Sequence, residues 1–119
     1  MIGNDPNIAG QALKEVALNN GKYTVRSLGK ILIRSNVLNS IRHLGSVVGH
    51  ELNHMSDYVS GNYAMWANRN NAFGNGLTAA NALSEIKAYS WNMRMSSSYT
   101  NYSELMINYA KMTTNNWRF

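Results

Sequence analysis

Residues 40–61 read SIRHLGSVVGHELNHMSDYVSG. Asn39 or Ser40 is placed to cap a helix here, because a short polar side chain satisfies the free N–H groups of a first turn. Gly61 supplies a stop, so the helix is expected to run to about Val59. Projected at ~100° per residue, Ile41, Leu44, Val48, Leu52, Met55 and Val59 share one narrow stripe, the expected core face. His43, His50, His54 and Asp57 fall on nearly the opposite side. All three histidines of the chain and one of its six acids therefore share a second stripe. Lys, Glu and Gln usually fill a solvated face, and three histidines do not.

Within this helix His50-Glu51-Leu52-Asn53-His54 is an H-E-x-x-H. Two histidines at i and i+4 lie one turn apart, so both imidazoles can reach one ion. Zinc accepts imidazole nitrogen at ~2.0–2.1 Å, and the pair supplies two corners of a tetrahedron. Glu51 is turned ~100° from His50, which suits a general base acting on a water activated by Zn²⁺. A catalytic zinc commonly takes a third protein ligand. Asp5, Glu15 and Glu104 read as helix-start or surface charges, leaving Asp57 and Glu85. Direct ligation by Asp57 would require one straight helix to present three consecutive turns to the ion, so Asp57 suits a supporting role, accepting the N–H of a ligand imidazole. Glu85 is the better third ligand. It lies beside the expected packing stripe of a later helix (Ala82, Leu83, Ile86, Tyr89, Met93), next to small Ala88 and near Asn92. Tyr63, Tyr89 and protonated His43 are candidates for stabilising an oxyanion.

Outward from this centre, Asp5-Pro6 is a helix-start signal. Ile8, Ala9, Ala12, Leu13, Val16 and Ala17 recur at helical spacing, with a stop at Gly21 after Asn19-Asn20. Residues 22–34 read as two short strands with a turn near Gly29, and residues 30–34 as either an internal strand or an edge strand to which a peptide could add. Residues 61–77, rich in Gly and Asn, read as a structured loop. A further helix is expected from Thr78 to about Met95. Ser96–Ser98 break the chain, and Asn101 with Glu104 forms a capping box for a last helix to about Met112. The expected order is αββααα, a mostly helical α+β fold over residues 1–119 with a two- or three-stranded sheet, its active-site helix packed against the Glu-bearing helix.

Composition narrows the function. The 119 residues suit one domain. The absence of cysteine excludes disulfides, zinc fingers and thiol nucleophiles. No apolar run approaches the ~18–20 residues of a membrane span, and the first residues lack a signal-peptide pattern. The formal charge is +5, yet lysines and arginines are scattered, which is weak support for a nucleic-acid partner. Much of the polarity comes from 18 asparagines rather than from charge.

The stretch Val48–Asp57, followed by Ser84-Glu85-Ile86-Lys87-Ala88-Tyr89, resembles the gluzincin branch of zinc metallopeptidases. The resemblance implies His50, His54 and Glu85 as zinc ligands, Glu51 as general base and peptide-bond hydrolysis. More narrowly, an H-E-L-x-H-x-x-D helix with an S-E-x-x-A-Y helix resembles small metallopeptidase domains at the C-termini of bacterial polymorphic toxins with RHS-type repeats. That resemblance implies a secreted or delivered domain, a peptide or protein substrate and an immunity-type partner, with the chain itself expected to be a monomer. The rival expectation is a zinc-binding module without turnover, since larger gluzincin peptidases complete their cleft with a second subdomain.

Overall fold

A computed structural model describes residues 9–34, 40–95 and 97–119. The first described element is a strand, β1 (Gly10–Asn19), paired antiparallel with β2 (Lys22–Ile33). Asn19 faces Lys22 across a two-residue turn in which Asn20 and Gly21 both take positive φ (52° and 76°). Asn-Gly supplies such a turn at least cost, because its backbone twist matches that of the flanking strands. The helix expected over this region is thus corrected to a strand; Asp5-Pro6 lies outside the described residues. Ala12 and Val16 are spaced for a helix face at i+4 and equally for a strand face at multiples of two.

Residues 22–34 do not form two strands. β2 is one strand with a bulge, the register slipping so that Ala12 pairs with Ile31 and Lys14 with Ser27. Gly29, inside the bulge, has φ 68°, which a residue without Cβ adopts freely. Both strands of this two-stranded sheet are edges, so residues 30–33 lie on an edge strand, but the strand that lines the cleft beside the histidines is β1.

Four helices follow: α1 (Ile41–Ser60), α2 (Asn62–Arg69), α3 (Gly76–Met95) and α4 (Tyr102–Asn115). Ser40 caps α1, its hydroxyl accepting from the His43 N–H at 3.2 Å; Asn39 lies outside the described residues. Gly61 ends α1 with φ 87° and at once starts α2, which is why the supposed loop after residue 61 is helical as far as Arg69. A 3₁₀ turn at Ala72–Gly74 leads into α3. Asn101 caps α4, accepting from the Glu104 N–H at 3.0 Å. Ser96 lies outside the described residues, and Ser97–Tyr99 form another 3₁₀ turn. The observed order is ββαααα, still a mostly helical α+β fold with α1 packed on α3.

α3 is the central element, lying against α1, α2 and α4. Ala79, Ala80, Ala82 and Ala88 are buried on it, and their small side chains admit close neighbours. Tyr58, Tyr63, Trp66, Leu83, Ile86, Leu105 and Trp117 fill the core around it, whereas Met93 of the expected stripe is exposed. The orientation of α1 is the main reversal. Ile41, Leu52 and Val59 of its apolar stripe are 89%, 49% and 74% exposed, Leu44 and Val48 are half-buried, and Met55 packs against the core. Ser46, His50, Glu51, His54, Asp57 and Tyr58 are the residues it buries. Amphipathicity alone would turn the helix the other way. Gly49 permits the observed packing, since a Cβ there would collide with the Trp91 ring of α3. No described helix is long and apolar enough to cross a membrane.

Candidate metal centre

The buried face of α1 meets α3 at three side chains. His50 Nε2 lies 3.1 Å from His54 Nε2 and 3.2 Å from Glu85 Oε1, and the same oxygen is in close contact with His54 Nε2. One ligand atom from each residue falls within 4.8 Å of the others. Glu85, as expected, converges on the pair from α3.

The hydrogen bonds behind the imidazoles determine what these atoms present. The Asn92 amide nitrogen donates to Ser46 O at 3.0 Å and Ser46 Oγ at 2.8 Å. Its Oδ1 is thereby turned to His50 Nδ1 at 2.6 Å and accepts from it. Ser84 Oγ donates to Asp57 Oδ2 at 2.7 Å, because a carboxylate only accepts. With its single proton used, the hydroxyl accepts from His54 Nδ1, also at 2.7 Å. Both histidines therefore carry hydrogen on Nδ1, and as neutral rings both aim an Nε2 lone pair at Glu85 Oε1. Three lone-pair donors facing one another repel unless a cation or a proton sits among them. The set fits a metal ion of the kind that imidazole and carboxylate share.

The same geometry sets the charge of the metal-free site. Burial alone would raise the Glu85 carboxyl, but hydrogen bonds and charge from His50 and His54 outweigh it and hold it well below the usual carboxylate range. Burial opposes a charged His50, yet the Glu85 hydrogen bond and charge push it above the ordinary histidine value.

Asp57 is fully buried and does not touch an imidazole; it acts on His54 through Ser84. Its other oxygen accepts from Lys87 Nζ at 2.6 Å, so the chain runs Lys87, Asp57, Ser84, His54. Such outer partners fix ring orientation and raise ligand basicity. Glu51 stands outside the three donors but lines the same cleft. Its Oε1 accepts the Ala12 N–H at 3.0 Å, tying α1 to β1. Gly10 allows that approach, since a Cβ would come within 2.8 Å of Val47 and 3.1 Å of Glu51.

The cleft, of about 590 Å³, also reaches His43, Tyr63 and Tyr89. His43 stacks on Tyr99 with ring centroids 5.1 Å apart. The Tyr63 hydroxyl donates to Asn81, and burial raises its phenol to about 12. An oxyanion role for Tyr63 would require that bond to break. The Tyr89 ring packs 4.4 Å from that of His50, and burial together with the Glu85 charge pushes its phenol well above the ordinary value.

Sequence reasoning missed the parts played by Ser84, Asn92 and Lys87, and it missed Lys14, which enters the cleft from β1. Ser84 and Asn92 had a readable signal: polar residues at i−1 and i+7 from Glu85, set among the apolar Ala82, Leu83, Ile86 and Ala88. Lys14 had none, because its segment reads as helix. Compared with known proteins, the chain matches no family model, no curated protein and no solved structure.

Proposed function

We propose that this chain is a zinc-dependent metallopeptidase of the gluzincin type, with His50, His54 and Glu85 holding Zn²⁺ and Glu51 as general base. The observation that carries the reading is the convergence of three lone-pair donors, with both imidazole tautomers set from behind, beside a further carboxylate in an open cleft. When bound, zinc supplies Lewis acidity, acidifying water and polarising a carbonyl. Glu51 takes a proton from the water that attacks the peptide carbonyl and passes it to the leaving nitrogen. Ala12 holds one Glu51 oxygen, so the side chain is oriented before substrate arrives. β1 borders the cleft, and an extended peptide beside it would gain main-chain hydrogen bonds. The setting we infer is an effector domain of a larger bacterial protein, with an immunity-type protein as partner; motif resemblance alone supports this.

Glu51→Gln tests the chemistry. Zinc affinity should persist, while turnover of a quenched-fluorescence peptide library should fall by at least ~10²-fold. Cleavage at the wild-type rate would remove Glu51 as base. A second reading, a zinc-holding docking module without turnover, is favoured by the exposed apolar residues Ile41, Leu52 and Val59 on the outer face of α1. Zinc-loaded wild-type protein that cleaves no peptide in a broad library would select it.

A further inference from the structure

Lys14 lies two residues beyond Ala12 on β1, so both project from the same face of the strand, toward the cleft. Among the residues lining that cleft it is the one lysine or arginine. Its ammonium lies 5.2 Å from the ring centroids of both Tyr58 and Tyr63, within cation–π range of two buried aromatic faces. Among the described residues no carboxylate lies within ion-pair distance of it. Burial disfavours the charged ammonium, and the Glu85 charge only partly offsets this. A half-buried cation without an anionic partner costs free energy that a bound anion would return.

Charge in the loaded cleft points the same way. Zn²⁺ and Lys14 contribute three positive charges, and Glu51 and Glu85 two negative ones. The balance is +1 on the floor of a cleft whose second carboxylate, Glu85, is taken up as a ligand. A neutral peptide would leave Lys14 unpaired, whereas a carboxylate would complete it through a charge-assisted hydrogen bond.

We infer that Lys14 is the specificity residue of the site, and that the cleft takes peptides carrying a carboxylate close to the scissile bond. This rests on the peptidase reading above. The carboxylate is that of an acidic side chain or of a free C-terminus, two sources with the same chemistry.

Two matched peptide pairs separate these sources. One pair has a neutral sequence ending in a free carboxylate or an amide. The other is amidated and carries an internal Glu or Gln. Binding is measured calorimetrically on zinc-loaded Glu51→Gln protein, and kcat and KM on zinc-loaded wild-type protein. In at least one pair the carboxylate member should bind roughly 10-fold tighter or better, the scale of a hydrogen bond to a charged group. Lys14→Met should erase that preference while neutral peptides change less than ~3-fold. Lys14→Arg should retain it, and Lys14→Glu should reverse it. Far-UV circular dichroism and zinc affinity check that each variant folds, and Lys14→Gln replaces Lys14→Met if the latter does not. Equal binding within both pairs, a preference that survives Lys14→Met, or an equal fall in kcat for all four peptides would overturn the inference. Cleavage without any carboxylate preference overturns it and leaves the peptidase reading intact. Carboxylate preference in binding without cleavage supports Lys14 as the residue that takes the carboxylate and defeats the peptidase reading instead.

Discussion

Asn92 determines which nitrogen of His50 is free. Its amide nitrogen is committed to Ser46, so its oxygen faces His50 Nδ1 at 2.6 Å and Nε2 is left for an ion. Asn92→Leu removes that acceptor while keeping a similar volume. Zinc affinity should fall about 10–100-fold, the scale for losing an outer partner of a metal-ligating histidine. Asn92→Asp keeps an acceptor and should lose less. Competition with a chromophoric chelator reads both variants, and equal affinity for Asn92→Leu and wild type would contradict the assignment.

Ser84 joins His54 to Asp57 with one hydroxyl. Ser84→Ala leaves the buried His54 N–H and one oxygen of the fully buried Asp57 without that partner. The expected cost is about 1–3 kcal/mol of stability, measured by urea unfolding of the metal-free protein. Zinc affinity should fall in parallel. A variant as stable as wild type would show that the relay contributes nothing.

Metal-free protein should show a stability optimum in mildly acidic solution. The His50 value is raised from 6.5, so its contribution is complete below 6.5 and is lost as pH rises through the raised value. The Glu85 value is lowered from 4.5, so its contribution is complete above 4.5 and is lost as pH falls toward the lowered value. The two overlap between pH 4.5 and 6.5. Urea midpoints across pH 3–9 should peak there, and Glu85→Gln should flatten the profile. A wild-type profile that rises steadily to pH 9 would contradict the pairing.

Gly49 of α1 lies directly against the Trp91 ring of α3. Gly49→Ala gains about 1 kcal/mol of helix propensity but drives a methyl into the Trp91 ring. Overpacking of this kind costs typically 1–3 kcal/mol. The net change should be destabilising, with a shift in tryptophan emission as Trp91 is displaced. A more stable protein with unchanged emission would mean that the helices are further apart.

The helix of the histidines and its partner were legible because local signals and chemistry coincide there. Ser40, Gly61 and H-E-x-x-H bracket α1, and Glu85 is one of few acids with no surface explanation. The direction α1 faces was not legible. Periodicity assumes that the apolar stripe is inside, but here the site occupies the interior and Ile41, Leu52 and Val59 are left outside. The hairpin was hidden because Asn20-Gly21 serves equally as a helix stop and a two-residue turn. α2 was hidden because Gly61 ends one helix and starts the next without a capping side chain. Lys14 followed the hairpin into error, since its direction depends on the strand.

Zinc stoichiometry and affinity test the centre most directly. Chain purified without added zinc is stripped by mild chelation, then titrated with zinc against a chromophoric competitor, and its metal content is measured by mass spectrometry. The expected result is one tightly bound zinc per chain, weakened at least ~100-fold by His54→Ala and by Glu85→Gln in proteins that remain folded. A chain with no tight stoichiometric site, or one whose affinity is unchanged without His54, would contradict the metal centre.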